Sequence, residues 1–182
     1  MTDKKESLVL LVEDTMTQAL LYQHAFQQQG INTKVAKSAA QALEIIRDSK
    51  PTLVVSDVNM PEQNGYQLSK EIKSNSTTSD IYVVLLSTVL DPSEIYDIVN
   101  SGCDDFILKN MPPEFIAEQI KRILDAIRQD PAQEQSGQKQ AFQNTVPLRA
   151  ENRSEVMKLR PGQAANLIYS LYQSICKLEK KA

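Results

Sequence analysis

The chain is poor in the residues from which many catalytic and metal sites are built. Its 182 residues include only two cysteines and one histidine. Cys103 and Cys176 form no CxxC pair, so neither a disulfide framework nor a zinc site follows. Cys103, in SGCDDF, reads as a small buried hydrophobe rather than a reactive thiol. His24 lies in YQHAF, without the acidic neighbour expected beside a phosphoacceptor histidine, and reads as a surface or partly packed helix residue. No GxGxxG or P-loop occurs, so dinucleotide or ATP binding has no support. The longest apolar runs, LVLLV and IYVVLL, are too short to span a bilayer. The opening MTDKKES has no long apolar region before a small-residue cleavage site, so no signal peptide is expected. A cytoplasmic, reducing location without a membrane partner is the expectation. No charge sign dominates either: a net charge of −3 implies no general affinity for nucleic acid or anionic membrane.

What is present is an ordinary globular composition, 41% hydrophobic and 24% charged. The length suits one domain and an appendage. Residues 1–130 hold 12 Lys and Arg against 19 Asp and Glu, a net of −7, whereas residues 131–182 hold 8 against 4, a net of +4. The body and the tail therefore need separate readings. The expected division is a folded body at 1–130, a linker with a possible short hairpin at 131–162, and an amphipathic helix at 163–182.

Apolar runs of strand length recur at Leu8–Val12, Thr33–Ala36, Leu53–Ser56, Ile81–Leu86 and Phe106–Leu108. Three are nearly continuous Val, Ile and Leu, as in strands buried on both faces. Between them lie segments of helical period. Leu20, Leu21 and Phe26 mark the first, Ala39, Leu43 and Ile46 the second, Leu68 and Ile72 the third, and Ile95, Ile98 and Val99 the fourth. Phe115, Ile116, Ile120, Ile123, Leu124 and Ile127 mark the fifth. Gly30 is placed to end the first helix, Ser38 to cap the second and Pro51 to stop it, while Pro92 and Pro112 sit at helix starts. The pattern predicts an α/β protein: βα five times, a doubly wound parallel sheet with helices on both faces. In such sheets ligands bind beyond the carboxyl ends of the strands.

The polar residues at those ends converge on one chemistry. Glu13 and Asp14 follow the first strand, Asp57 the third, Ser87 and Thr88 the fourth, and Lys109 the fifth. Three adjacent carboxylates repel, and a hard cation with oxygen ligands resolves the repulsion. Mg²⁺ typically takes one or two carboxylates, several waters and phosphate oxygens. A carboxylate can also act as a nucleophile and become an aspartyl phosphate. Phosphoryl transfer needs mainly positioning and charge neutralisation. Lys109 offers a point charge for phosphate, and the Ser87 hydroxyl can donate to a phosphoryl oxygen.

With VLLVEDT, VVSDVNMPEQNGYQL, VVLLST and GCDDFILKN in this order at the strand ends, residues 8–129 resemble the receiver domain of two-component response regulators. The resemblance implies a flavodoxin-like sheet of order 2-1-3-4-5. It implies that Asp57 is the phosphoacceptor, that Glu13 and Asp14 hold Mg²⁺ with Asp57, and that the backbone carbonyl of Asn59 completes the protein ligands. Ser87 and Lys109 would contact the phosphoryl group. Ser87 and Phe106 would form the switch, acting on the face made by the fourth helix, fifth strand and fifth helix. Pro61 and Gly65 match the loop after the acceptor. A histidine kinase or phosphotransfer protein is the implied partner.

Three positions depart from the family pattern. Glu13 stands where Asp is more common, which shifts the carboxylate but keeps its charge. Thr88 stands where a small residue is usual, and its bulk is expected to narrow access for phosphodonor or attacking water. Asn110 replaces the proline after the lysine. A cis bond there costs about 2.5–4 kcal/mol without proline, so either that strain is tolerated or the following loop differs.

In the tail, PAQEQSGQKQA reads as a polar linker, and FQNTVPLR and SEVMKL as a possible hairpin. Ala164, Ile168, Leu171, Ile175 and Leu178 are spaced 4-3-4-3, a seam that suits homodimer pairing or packing on the chain's own domain. The stretch LRPGQAANLIYSLYQSICKLEKK is loosely similar to the connector after receiver domains in hybrid sensor kinases, so the chain is expected to belong to a longer protein. The alternative is a stand-alone regulator acting by dimerisation or DNA binding through the tail. Nucleic-acid binding is not the expectation, since a helix-turn-helix needs two helices and the tail offers one. A Mg²⁺-dependent phosphatase would use a similar aspartate, but the chain is too short for a cap domain and is not expected to be an enzyme.

Overall fold

A computed structural model describes residues 7–88, 97, 98 and 100–129. The readings on Pro92, Ile95, Val99 and residues 131–182 lie outside the described residues. The elements are β1 (Leu8–Val12), α1 (Met16–Gln28), β2 (Asn32–Ala36), α2 (Ala39–Ser49), β3 (Leu53–Asp57), α3 (Gly65–Ser74) and β4 (Tyr82–Ser87). A further helix, α4, is described at residues 97, 98, 100 and 101. It is followed by β5 (Asp105–Leu108) and α5 (Pro113–Gln129). Each strand lies within one residue of its sequence expectation.

The strands form one parallel sheet of order β2-β1-β3-β4-β5. Side chains alternate between its faces. Val9, Leu11, Leu53, Val55, Val84 and Leu86 pack with α1 and α5, through Phe26, Ile116, Ile120 and Leu124. Leu10, Val12, Val54, Val83 and Leu85 pack with α2 and α3 and with Ile98 of α4. Burial on both faces is why these strands read as continuous apolar runs.

The punctuation has physical counterparts. Ser38 Oγ accepts from the Gln41 N–H at 3.2 Å and caps α2. Gly30 follows the end of α1 with φ +67, a backbone state that costs glycine little. Asn64 and Gln67 form a reciprocal capping box on α3. The first helix requires a correction. Leu20 and Leu21 are 57% and 54% exposed, and the buried face is instead Ala19, Tyr22, Ala25 and Phe26. Small alanines, not the larger leucines, let α1 approach the sheet. Phe115 is likewise exposed rather than part of the buried α5 stripe.

The chain leaves β1 for β2 on one side, and β3 lies on the other. The carboxyl ends of β1 and β3 thus flank the switch point where open α/β sheets bind ligands.

Candidate functional site

Strand pairing and the hydrogen bonds that extend it run up to or through each site group and so fix its place. The Glu13 N–H donates to Ala36 O at 3.0 Å, the Val58 N–H to Leu86 O at 3.0 Å, and the Lys109 N–H to Ser87 O at 2.7 Å. Asp57 and Ser87 are the final residues of β3 and β4, paired with Leu86 and Leu108, rather than the first residues beyond those strands. The ladder runs one residue further than the apolar pattern.

Glu13 is fully buried, Asp57 is 5% exposed and Ser87 1%. Asp14, Asn59 and Thr88 are exposed at the edge. Lys109 Nζ lies 2.8 Å from Glu13 Oε2 and 2.7 Å from Asp57 Oδ2. The other oxygens are held by backbone. Glu13 Oε1 accepts from the Thr15 N–H at 3.3 Å, and Asp57 Oδ1 from the Asn59 N–H at 3.2 Å. Glu13, Asp14 and Asp57 each offer a carboxylate oxygen, and these oxygens lie within 4.8 Å of one another. The extra methylene of Glu13 keeps its carboxylate inside this cluster.

Burial pushes the Glu13 carboxyl above its ordinary value, and the neighbouring Asp57 charge adds to the rise, against the opposing pull of Lys109. Burial alone would push Lys109 down, but hydrogen bonds and charge from Asp57 and Glu13 outweigh it, and the net shift is upward. One ammonium therefore pairs with two of the three carboxylates, and the cluster carries an excess of negative charge. Its donors are all hard oxygens held close together, and they suit a hard metal ion. The acidic pocket is one that can hold such an ion.

Phe106 is 8% exposed and packs in the cluster with Leu85 and Ile98, and Cys103 packs against the same cluster. The Cys103 thiol is pushed up to about 12 by burial, as suits an inert packing residue. His24 is exposed and shares a hydrogen bond of 2.9 Å with Gln28. The described peptide bonds include no cis bond, so Lys109–Asn110 is trans and the loop after β5 departs from a cis turn.

Gly65 matters by close approach. A Cβ there would lie 2.3 Å from the Asp57 carbonyl oxygen and 2.9 Å from Val58 Cα. The start of α3 thus sits directly on the backbone of Asp57. Sequence reasoning missed Gln18, whose Oε1 accepts from Lys109 Nζ at 3.1 Å. A neutral helix residue carries no motif signal, and only the distance discloses it.

The chain belongs to the response regulator receiver domain family, whose model matches residues 9–121. Among solved structures it is similar to the signal receiver domain of a signal transduction histidine kinase from Syntrophus aciditrophicus. The identity is 31% and the TM-score 0.63, covering 69% of this chain and 96% of that one. It is 32% identical over 124 residues to histidine kinase P4 of Formosa agariphila, covering 68% of this chain but 9% of that kinase. It is 26% identical over 120 residues to the two-component response regulator ORR3 of Oryza sativa subsp. indica, covering 65% of this chain and 92% of that regulator. Among the described residues no helix is long and apolar enough to cross a membrane.

Proposed function

We propose that Asp57 accepts a phosphoryl group from a histidine kinase or phosphotransfer protein, with Mg²⁺ held by Glu13, Asp14, Asp57 and the Asn59 carbonyl. The observation that carries this reading is the buried cluster of Glu13, Asp57 and Lys109 with Asp14 at its rim, three carboxylates against one ammonium. When bound, Mg²⁺ supplies charge neutralisation between carboxylates and phosphoryl oxygens. An Asp57 carboxylate oxygen attacks phosphorus and forms the new P–O bond. The donor's bond to phosphorus breaks, and the leaving group departs with the electron pair. With acetyl phosphate that group is acetate and no proton is required. Lys109 then exchanges an Asp57 oxygen for a phosphoryl oxygen, and the Ser87 hydroxyl donates to another. Thr88, exposed beside Ser87, sets access for donor and water.

The added charge draws Ser87 and Lys109 inward and biases the α4–β5–α5 face through Phe106. The domain receives a signal rather than turning over a substrate, in the cytoplasm and as the 1–130 unit of a longer kinase or regulator. The relatives that are histidine kinases support that context. Residues 131–162 and 163–182 would then be the connector to the next module or to a second copy.

The test is intact mass after incubation with acetyl phosphate, with Mg²⁺ or with EDTA, for the native chain and Asp57→Asn. A Mg²⁺-dependent gain of one phosphoryl group, absent in the variant, is expected. Stable phosphorylation of Asp57→Asn would overturn the assignment.

A further inference from the structure

The half-buried Gln18 belongs to none of the roles above. It lies in the first turn of α1, and its Oε1 sits 3.1 Å from Lys109 Nζ. The same nitrogen is 2.8 Å from Glu13 Oε2 and 2.7 Å from Asp57 Oδ2, with 6% of the lysine side chain exposed. An ammonium has three donors and accepts nothing. Three acceptors therefore occupy it fully, and the Gln18 amide has to present its oxygen rather than its nitrogen.

The three acceptors differ in what phosphorylation does to them. Acyl phosphate formation on Asp57 removes the carboxylate charge that holds Lys109 there. A metal ion drawn to Glu13 shares that carboxylate's charge. Gln18 is neutral and lies outside the carboxylate set, so neither event weakens its bond to the lysine. It also restrains the ammonium without cancelling its charge, which a carboxylate at this position would do.

We infer that Gln18 is a positioning residue for phosphoryl transfer, acting through Lys109 as the anchor that stays in place while the lysine exchanges Asp57 for a phosphoryl oxygen. The inference rests on the phosphoacceptor reading of Asp57. A long four-carbon stem makes lysine a mobile charge, and holding it near the reacting oxygen removes freedom it would otherwise lose during transfer.

The test replaces Gln18 with methionine, which keeps length and helix propensity but has no amide oxygen. Three quantities are measured on the full chain: the rate constant of phosphorylation by acetyl phosphate at saturating Mg²⁺, the Mg²⁺ dissociation constant by calorimetry, and the thermal midpoint. Release of the lysine stem from its fixed position during transfer predicts a rate constant lower by about tenfold. The Mg²⁺ dissociation constant is expected to stay within about twofold, because Gln18 is not among the proposed metal ligands, and the midpoint to fall by no more than the roughly 2–6 °C that one lost hydrogen bond costs. An unchanged rate constant overturns the inference. So does a fall in rate accompanied by weaker Mg²⁺ binding or by a larger fall in midpoint, which would make Gln18 structural. A native chain that gains no phosphoryl group overturns the phosphoacceptor reading and this inference with it. Native gain with Gln18→Met unaffected overturns the inference alone.

Discussion

Lys73 and Lys109 both put an ammonium against a buried or half-buried aspartate, yet their surroundings are different in kind. Lys73 Nζ pairs with Asp104 Oδ2 and also donates to Ile81 O at 2.7 Å, while the same Asp104 oxygen accepts from the Val83 N–H at 2.7 Å. The pair ties the last turn of α3 to the start of β4 and the turn before β5, with one cation to one anion. Lys109 faces two buried carboxylates, and a third lies at the rim. Burial pushes both Asp104 and Glu13 above the ordinary carboxylate range, so a shifted acid does not by itself separate the two places. Charge balance does. A closed pair has nothing left to offer a ligand, whereas an excess of carboxylate is an open valence. Perturbed acids are candidates for function, and the count of partners decides which candidate to follow.

The comparison extends to backbone, and the largest expected effect lies there. Gly65→Ala would place a methyl group 2.3 Å from the Asp57 carbonyl oxygen, against main chain that has little room to move. A loss of about 3 kcal/mol in urea denaturation is expected, together with slower phosphorylation on the proposed function, because the peptide of Asp57 must shift. At Gly102, beside the clamp, an added Cβ meets only the Lys73 side chain at 3.6 Å, and the strain comes from a φ of +70. Gly102→Ala is therefore expected to cost about 1 kcal/mol and to leave phosphorylation unchanged. Equal losses at the two glycines would erase the distinction.

Removing the cation of the clamp comes next. Lys73→Met leaves Asp104 without its partner. Breaking a buried pair costs about 3–5 kcal/mol, but the Asp104 side chain is 30% exposed and water can reach it, so about 2 kcal/mol is expected. The phosphoryl gain by intact mass should be that of the native chain. A loss of phosphorylation would mean that the clamp communicates with the site.

Glu13→Gln should move stability the opposite way. A carboxyl whose folded value is raised costs nothing below its unfolded value, and its penalty grows as pH rises through the folded one. Relief of that penalty predicts that the metal-free variant is more stable than the native chain by about 1–2 kcal/mol at neutral pH. The gain should be smaller near pH 4, just below the ordinary glutamate value, where most of the unfolded chain's Glu13 is also protonated. Mg²⁺ binding should weaken in the same variant. Denaturation in EDTA at the two pH values checks the sign. A variant less stable at neutral pH would show that Lys109 holds Glu13 more strongly than burial opposes it.

The sequence made the sheet legible because both of its faces are buried. Leu8–Val12 and Leu53–Val55 have no polar break, and the strand ends then collected Glu13, Asp57, Ser87 and Lys109 at one edge. The α1 face was not legible, because size misled. Leu20 and Leu21 are the large residues, but Ala19 and Ala25 are the ones that fit under the helix. Gln18 and the Lys73–Asp104 clamp escaped for a related reason. Both are set by side chains that meet across separate elements, and neither spacing nor residue type carries that information. Asp104 stood in GCDDF, where resemblance accounted for it without asking what it bonds.

The smallest expected effect concerns Glu62, in the loop that follows Asp57. Its φ is +66, a left-handed backbone unusual for a residue with a side chain, and the residue is exposed. The conformation costs about 1–2 kcal/mol for an L-residue, and glycine would return part of that to the unfolded chain as entropy. Glu62→Gly is therefore expected to stabilise by about 0.5–1 kcal/mol in thermal or urea denaturation. Strain at a site can serve its chemistry, and an observed outlier is the proper start of that hypothesis. Here the strained residue is five positions past Asp57 and separated from the Asp57 contact with Gly65 by the α3 cap, so the proposed phosphorylation should keep its rate constant within about twofold of the native value. Were stability to rise while the rate fell, the left-handed turn would belong with Gly65 and the unbalanced carboxylates as part of the site. Were both unchanged, the loop would be relaxed around Glu62, and strain would not distinguish the site edge from the clamp.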